Sequence, residues 1–430
     1  MSTPDSVLSS TARGHEEMPT LMLARWMRAD EVAASDRDWT VDLAVFRLAL
    51  LAGIVVPFAW RALRWTEGIM PGLPPDAWAP VSFFALLPRS VLANAELAWW
   101  LAVADLVLLA LALAGVLTRW TLAAATGLSL YVFGLMQNTG KVDHYHHLVW
   151  FLALAAVGPS AHFLSVDAIV AAIRGADHGR IDAPVPPRAA LTTFRCIWML
   201  FGLLYFAPGA AKLTAAFTQG WSSTENLRRI AWSQWFTRGL YQPGFTPPSW
   251  VDALPSRLFG VGAAAVIAFE VGFVWLVLFR AVRPVLAVAG VVFHVVNGLV
   301  LGIWFGFLLP AYAALIDWVG LGRRFAGSPL LVLYDGDCRV CRRAIAVLRT
   351  LDALDTLAPV PASADDPRRR RYAHVTDEML AHDLWVAEGS RTARGFDAYR
   401  WIAWRMPVLW PVAVLLQVPM VARIGRRVYQ

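Results

Sequence analysis

Long apolar runs are the feature of this sequence that most restricts its fold. A bilayer-spanning helix needs roughly 20 predominantly apolar residues, and several runs reach that length. They lie near residues 41–60, 95–117, 119–138, 145–164, 191–211 and 259–279. A longer block over 284–318 is interrupted between Gly302 and Gly306 and predicts a further pair of helices. The sequence therefore predicts an α-helical multi-pass membrane protein with about eight transmembrane helices.

Composition and charge support a chain that lies in a lipid bilayer. Hydrophobic residues make up 58% of the 430 and charged residues 16%, against about 25% charged residues in soluble domains. The net charge of +7 comes from arginines between the apolar runs, so it reflects the positive-inside rule and does not indicate nucleic-acid binding. We expect a cell-membrane protein with both termini in the cytoplasm. In that topology the inner segments contain Arg119, Arg174, Arg180, Arg188, Arg280, Arg283, Arg323 and Arg324.

Two segments of the membrane region do not fit a plain alternation of helices and loops. Residues 213–257 would lie outside although they contain several arginines, and their Trp and Pro content predicts a folded cap or a re-entrant element. Residues 1–38 begin polar and then fit either a short helix on the membrane surface or a frayed tail. The expected domains are this N-terminal segment, a transmembrane domain over 39–322 and a small domain over 329–430.

A change of pattern near residue 328 indicates the small C-terminal domain. A short β-type run, Leu330–Tyr334, precedes Asp335-Gly-Asp337-Cys338-Arg-Val-Cys341, and apolar residues at helical spacing follow. This order predicts a second domain, in which a strand is followed by a helix with Cys338 at its start. The helix dipole and the arginines after Cys341 favour a thiolate. We therefore expect Cys338 to attack and Cys341 to resolve the mixed disulfide.

Other interpretations of the cysteine pair and of the C-terminal tail have weaker support. Half a zinc site would need further ligands, but no other Cys pair exists, and His374 and His382 lack the spacing of a zinc finger. No metal is therefore expected. The tail over 398–422 is apolar but is interrupted by Pro407, Pro411 and Pro419. It predicts helices packed on the small domain or lying on the membrane rather than a ninth span.

The pattern around the cysteines resembles the DCC (DUF393) family of thioredoxin-like thiol-disulfide oxidoreductases. The resemblance covers about residues 329–430 and extends to Gly395-Phe-Asp-Ala398 and to Arg427-Val-Tyr429. It implies a small α/β thioredoxin-like domain and a dithiol that exchanges with disulfides. The residues expected to form the site are Cys338 and Cys341 for catalysis, and Asp335 and Asp337 for binding.

Ionisable side chains inside the apolar runs indicate a second candidate site, because such residues are costly in a bilayer and mark functional positions. Lys212 follows Pro208 and Gly209, which loosen a helix. Loss of hydration would lower the pKa of Lys212 toward the range of a general base, whereas a lysine near a helix end could instead extend to the headgroups. Glu270 needs a partner, for which Lys212 or a histidine is suited.

Histidines and further polar residues accompany this candidate site. His144 and His147 lie about one turn apart at the start of a span, and His294 and Asn297 share one face of an apolar helix. A satisfied helix–helix hydrogen bond is the simpler role for each of them. No carboxylate stands beside the histidines at ligand spacing, so a metal is not expected there. The remaining ionisable residues within apolar runs, which could pair with each other, are Arg47 and Asp105.

In their order along the chain, these residues resemble the membrane core of the vitamin K-dependent gamma-glutamyl carboxylase family, also called HTTM proteins. The resemblance covers roughly residues 38–320. In place of the large luminal region of animal carboxylases stands the Cys-x-x-Cys domain. The resemblance is carried by Phe46-Arg47, Lys141 to His147, Ser165-Val166-Asp167, Gly209-Ala-Ala-Lys212-Leu213, Gly220-Trp221, Glu270 and Phe293-His294-Val-Val-Asn297.

This resemblance implies a mechanism and a set of partners. Lys212 would remove the hydroxyl proton of a vitamin K-like quinol, whose reaction with O2 would generate a base strong enough to take a proton from carbon. His144, for which His147 is an acceptable substitute, would be the second catalytic position. The expected partners are the lipid bilayer, a quinone or quinol, and a secreted or membrane peptide. The residues expected to bind cofactor or substrate are Glu270, His294 and Asn297.

The sequence leaves open which of three functions the protein has. The first is a quinol-linked membrane enzyme of the carboxylase type, to which the dithiol domain supplies reducing equivalents. The second is a membrane-tethered thiol-disulfide oxidoreductase or peptide maturation factor without carboxylase activity. The third is a transporter-like or scaffold protein with degenerate sites. We favour a redox or modifying membrane enzyme.

Overall fold

The chain is mostly helical and divides into two compact units. The computed structural model describes residues 28–139, 146–182, 185–241, 249–303 and 305–429. One part, here called the helical unit, contains Ala52–Pro57, Leu191–Ile316 and the described residues before Asp36. The other, the mixed unit, contains Asp36–Leu51, Phe58–Ala190 and the chain from Asp317 onward. The small C-terminal domain thus belongs to the same compact unit as residues 58–190.

Fewer helices than expected have the length and apolarity of a membrane span. Within the described ranges there are 5, or up to 6 if the pair Pro407–Gln417 and Pro419–Arg427, bent by 93°, forms one span. The run over 145–164 gives a helix of only 12 residues, and the block after Gly302 forms a 3-10 helix of 10 residues. The 5 helices are Asp36–Gly72, Ala95–Ala114, Ala189–Gln219, Ser256–Leu276 and Arg283–Leu301.

In the mixed unit, side-chain caps position the helices before residue 190. Asn94 accepts a hydrogen bond from the backbone N–H of Leu97, and Ser165 accepts one from that of Ala168, as N-cap residues do. The Asp167 carboxylate accepts the N–H groups at the start of the helix at Thr118. The helices before residue 180, within which Ala52–Pro57 belongs to the helical unit, are α1 (Asp36–Leu50), α2 (Val56–Gly68), α3 (Arg89–Leu92), α4 (Ala95–Ala114), α5 (Thr118–Leu135), α6 (His146–Val157) and α7 (Val166–Ala176), with a π-helix at Leu51–Val55 and 3-10 helices at Met70–Gly72, Pro75–Ala77, Ser82–Leu86 and Met136–Thr139.

Arg47 and Asp105, which could have paired, have other partners. The Arg47 guanidinium donates to the carbonyl oxygens of Ser160 and Leu164 at 3.1 and 2.6 Å. The Asp105 carboxylate accepts the Ser129 hydroxyl at 2.9 Å. The Arg47–Asp105 pairing is therefore wrong, because backbone and hydroxyl groups brought close by the tertiary fold satisfy each side chain separately.

The helical unit combines long apolar helices with two helices that are more polar or much shorter. The helix that contains Pro208 is not interrupted there, since it continues to Gln219, past the predicted end of the apolar run at residue 211. The described part of the segment over 213–257 is folded, because its helix at Thr224 buries Leu227 and Ala231 against Phe259 and Ala263. The helices are α8 (Ala189–Gln219), α9 (Thr224–Tyr241), α10 (Ser249–Asp252), α11 (Ser256–Leu276) and α12 (Arg283–Val296), followed by a π-helix at Asn297–Leu301 and a 3-10 helix at Gly306–Leu315.

The small domain is built on a four-stranded sheet with strand order β2-β1-β3-β4. Strand β1 pairs in parallel with β2 and antiparallel with β3. Alternate residues of β1 enter cores on both faces: Leu330, Val332 and Tyr334 on one face, and Leu331 and Leu333 on the other. Burial on both faces explains why this strand is continuously apolar. The strands are β1 (Leu330–Tyr334), β2 (Leu357–Pro361), β3 (Trp385–Glu388) and β4 (Arg391–Arg394).

Helices cover the sheet and account for the C-terminal tail. Ala398, Ile402 and Met406 join the core on one face of the sheet. The tail forms separate helices that contact one another, as the prolines in the sequence predict. The helices are α13 (Trp318–Arg323), α14 (Arg339–Leu351), α15 (Pro367–Arg370), α16 (Asp377–His382), α17 (Gly395–Arg405), α18 (Trp410–Gln417) and α19 (Pro419–Tyr429), with a 3-10 helix at Pro407–Leu409.

Candidate functional site

The two cysteines of the small domain lie at the start of α14. Cys338 is the N-cap residue of this helix, and its Sγ accepts a hydrogen bond from the backbone N–H of Cys341 at 3.2 Å. Both side chains are partly exposed free thiols. An N–H directed at a sulfur and the positive end of a helix dipole both stabilise negative charge there. The predicted position of Cys338 is confirmed, and its setting is that of a nucleophilic thiol.

Cys341 lies in a different environment one helical turn later. It packs against the core that contains Tyr334 and Ile345. Burial, and then the neighbouring Cys338, raise the pKa of the Cys341 thiol to about 12. Cys341 therefore remains protonated at neutral pH, which suits a resolving thiol better than an attacking one.

The loop before the cysteines is held by its own polar groups. Asp335 Oδ1 accepts the backbone N–H of Asp337 at 2.9 Å. The Arg342 guanidinium donates to the carbonyl oxygens of Gly336 and Asp337 at 3.0 and 3.1 Å. These bonds give Asp335 and Arg342 a part in shaping the turn that presents Cys338. The binding role expected for Asp335 and Asp337 stays a prediction.

Two tyrosines complete the surroundings of the dithiol. The rings of Tyr399 and Tyr429 lie 5.9 Å apart between centroids. Burial raises the pKa of Tyr399 to about 12, with further contributions from Tyr429 and from both cysteines. A neutral phenol remains a hydrogen-bond donor at neutral pH. Sequence reasoning gave Tyr399 no role, although it directly follows the Gly395-Phe-Asp-Ala398 motif.

Gly395 explains how the last helix reaches the cysteines. Its φ of 56° lies in the left-handed region, which glycine adopts without strain. A Cβ at Gly395 would lie 3.0 Å from Cε1 of Tyr429. In the same motif, the Asp397 carboxylate pairs with Arg400 of its own helix and Arg426 of α19. The motif therefore joins α17 to α19 and places Tyr429 beside the site.

Comparison with known protein families identifies the kind of site. Residues 332–430 match the DCC1-like thiol-disulfide oxidoreductase family. The DCC1-like domain covers most of the region where the sequence resembled such enzymes, and it supports a thiol-disulfide oxidoreductase function. No curated protein and no solved structure matches the chain. Because the match begins at residue 332, the resemblance of the preceding residues to the carboxylase family stays an expectation.

In the helical unit, Lys212 and Glu270 form an ion pair between α8 and α11. Lys212 Nζ donates to both carboxylate oxygens of Glu270, at 2.6 and 2.7 Å. The Glu270 side chain is 6% exposed and that of Lys212 27%. The pairing expected from the cost of burying Glu270 is confirmed. Gly209 permits it, because a Cβ there would lie 2.7 Å from Cβ of Glu270.

His294 belongs to a buried cluster of polar rings near this pair. Its Nε2 lies 2.9 Å from the hydroxyl of Tyr205, which also contacts the hydroxyl of Tyr312. Nδ1 of His294 is buried without a hydrogen-bond partner among the described residues. Phe269 and Phe293 stack at 4.9 Å between centroids and flank Tyr205. The tyrosines of this cluster were not predicted.

The other expected site residues are distributed elsewhere. His144 and Lys141 lie outside the described residues, and so does the N-terminal segment up to residue 27. His147 is in the mixed unit, where its ring meets Phe151 edge to face at 6.2 Å. Asn297 begins the π-helix after α12. The structure therefore brings together Lys212 with Glu270, and Cys338 with Cys341.

Proposed function

We propose that this protein is a membrane-bound thiol-disulfide oxidoreductase that acts through Cys338 and Cys341. The observation that carries the proposal is the Cys338 sulfur at the N-terminus of α14, where it accepts the N–H of Cys341. This geometry lies within the region that matches DCC1-like thiol-disulfide oxidoreductases. The protonated, more buried Cys341 is suited to the second step of the exchange.

The reaction has two steps at these sulfurs. The Cys338 thiolate attacks one sulfur of a substrate disulfide, so a Cys338–substrate disulfide forms and the second substrate sulfur leaves as a thiolate that takes up a proton. Cys341 then loses its proton and attacks Cys338 Sγ, which releases the first substrate thiol and leaves a Cys338–Cys341 disulfide. The substrate gains two electrons and two protons, and a thiol reductant such as glutathione restores the dithiol.

A trapped intermediate tests this order of attack. In a Cys341→Ser variant the first step proceeds and the second cannot, so a mixed disulfide to Cys338 accumulates with a model disulfide substrate. Non-reducing electrophoresis and mass spectrometry would detect it. Cys338→Ser is the matched control and should trap nothing. Trapping by Cys338→Ser in place of Cys341→Ser would reverse the assignment, and no trapping by either would refute the proposed function.

We also propose that the apolar helices insert into the cell membrane with both termini in the cytoplasm. The 5 described helices of spanning length support insertion. The orientation requires an even number of crossings before the small domain, so we propose that α5, α6 and the 3-10 helix at Gly306–Leu315 cross the membrane as well. With these eight crossings the arginines from Arg119 to Arg188 and from Arg280 to Arg324, which lie between apolar runs, fall on the cytoplasmic side. Thiols are normally reduced in the cytoplasm. In this arrangement the dithiol reduces disulfides and supplies electrons toward the membrane.

A second candidate function is quinol-linked chemistry of the carboxylase type in the helical unit. The Lys212–Glu270 pair marks a candidate site, because an ion pair is costly to bury between apolar helices. The pair must open before Lys212 can accept a proton from a quinol. Phe269, Phe293 and the hydroxyl of Tyr205 would suit the ring and oxygens of a quinone. Quinone in lipid extracts of the purified protein, and loss of quinol oxidation in Lys212→Ala, would support this function. Quinol oxidation that persists in Lys212→Ala would contradict Lys212 as its base.

A further inference from the structure

The helix that carries the dithiol packs against a helix of the preceding region. Within the mixed unit, α7 contacts α14 through Ala172, Ala176 and Ala346, with Ile181 beside them. Small side chains let two helices approach closely. The DCC1-like domain is therefore in direct contact, along its dithiol helix, with a segment outside the family match.

One carboxylate at this contact binds two arginines of the dithiol helix. Asp177 follows α7 and accepts bidentate hydrogen bonds from Arg339, at 2.8 and 3.1 Å, and from Arg343, at 2.8 and 2.7 Å. The hydrogen bonds from Arg339 and Arg343 hold the pKa of Asp177 well below its usual value. Asp177 thus stays negatively charged at physiological pH, opposite two positive charges.

The position of these arginines connects the pair with the redox chemistry. Arg339 lies between the two cysteines in the sequence, and Arg343 is one turn later on the same face of α14. Cations near a thiolate stabilise the reduced, charged form, whereas a disulfide carries no charge. When the reduced form of a cysteine pair is stabilised, its reduction potential rises and its disulfide becomes a stronger oxidant. A carboxylate that neutralises those cations removes this stabilisation of the thiolate and therefore lowers the reduction potential of the pair.

We propose that Asp177 is a positioning residue that sets the reduction potential of the Cys338–Cys341 pair, by neutralising Arg339 and Arg343 while α7 is docked on α14. The inference rests on the proposed thiol-disulfide function. Docked, the dithiol is the better reductant. Loss of the contact leaves two uncompensated arginines on the first turns of α14, where the cysteines lie, and makes the disulfide easier to reduce.

The contact offers a matched control. Asp182 forms an ion pair with Arg349 at 2.8 Å, in the segment that follows α7 and near the far end of α14. Asp182→Asn therefore removes the same charge from the same contact, but away from the cysteines. Asp177→Glu keeps the charge at the first position.

The experiment measures the equilibrium of the full-length Cys196→Ser protein with reduced and oxidised glutathione. Each oxidation passes two electrons and two protons from the dithiol to glutathione disulfide, giving two glutathione molecules. Asp177→Asn should lower the equilibrium constant for oxidation about threefold to tenfold, which at about 30 mV per tenfold is a rise in potential of about 15 to 30 mV. The midpoint of the pH profile of Cys338 alkylation should move to lower pH. Asp182→Asn and Asp177→Glu should match the parent protein.

Arg343→Gln provides a test that keeps Asp177 in place. It removes one cation, so oxidation should become more favourable, opposite in sign to Asp177→Asn. An unchanged equilibrium in both variants, or equal shifts in Asp177→Asn and Asp182→Asn, would overturn the role of Asp177 while leaving the proposed function intact. A parent protein that forms no Cys338–Cys341 disulfide with oxidised glutathione would overturn both.

Discussion

The two cysteines, although separated by only two residues, are placed in different chemical settings. Cys338 lies at the helix N-terminus with an N–H directed at its sulfur, whereas Cys341 is packed against the core and its pKa is raised to about 12. Their positions on the helix thus suit Cys338 to attack and Cys341 to resolve the mixed disulfide. The difference predicts how each thiol responds to pH.

We predict that alkylation of the reduced Cys196→Ser protein with iodoacetamide gives one adduct, at Cys338, near about pH 7.5, because only thiolates react. Since the pKa of Cys341 is about 12, its thiolate fraction and its alkylation rate should increase about tenfold per pH unit through the alkaline range. Peptide mass spectrometry over a pH series measures both sites. Cys341→Ser is the control and should give a single adduct throughout; equal rates at Cys338 and Cys341 near neutrality would contradict the assignment.

The partner or position of a single residue was predictable where few other side chains or positions could satisfy it. The pairing of Glu270 with Lys212 followed from the cost of an unpaired charge in an apolar helix, and Cys338 as a helix start followed from a strand-to-helix change of pattern. The partners of Arg47 were not predictable, because they are backbone carbonyl oxygens, which every residue has whatever its side chain. Nor were the ion pairs of Asp177 with Arg339 and Arg343 predictable, because they depend on a contact between helices that are far apart in the sequence.

At the level of helices and strands, apolar length predicted where helices occur better than where they end. The helix at Ala189 continues well past Pro208, since the loss of one backbone hydrogen bond is tolerated in a long packed helix. The block after residue 284 breaks as expected at Gly302, whose φ is 68°. Beyond it the chain forms a 3-10 helix, which the composition of the run does not distinguish from an α-helix.

The contact between α17 and α19 gives a prediction at this scale. Gly395→Ala should lower the free energy of unfolding by about 1 to 3 kcal/mol, because alanine costs about 1 to 2 kcal/mol in the left-handed region and its Cβ would press on Tyr429. Gly389→Ala is the control: its φ of 59° is similar, but no atom lies within 4 Å of the added Cβ. Thermal unfolding of both variants measures the difference. If Gly395→Ala and Gly389→Ala lowered the free energy of unfolding equally, Tyr429 would not be packed against Gly395.

At the scale of the whole molecule, hydropathy predicted a chain rich in membrane-length helices and a separate pattern at the C-terminus. It could not predict that the DCC1-like domain shares a compact unit with residues 58–190. That association depends on alanines and charged groups, such as those at the contact of α7 with α14, whose partners cannot be recognised from periodicity.

The proposed sidedness is testable with one cysteine. In a Cys196→Ser/Cys341→Ser variant, a membrane-impermeant maleimide should leave Cys338 unmodified in intact cells, because the bilayer separates the reagent from a cytoplasmic domain. The same cells after permeabilisation provide the control and should be labelled. Strong labelling before permeabilisation would place the domain outside, and its role as an electron donor would have to be abandoned.

The packing of α14 on α7 also affects how often the dithiol meets its substrates. In the proposed membrane setting, a thiol domain in the same chain as membrane-inserted helices moves within a two-dimensional layer. A disulfide confined to the same bilayer would then encounter Cys338 by lateral diffusion, at a higher effective concentration than a disulfide free in solution. Such a substrate needs little affinity of its own, so selection among disulfides would depend on residence in the same membrane more than on a shaped binding groove.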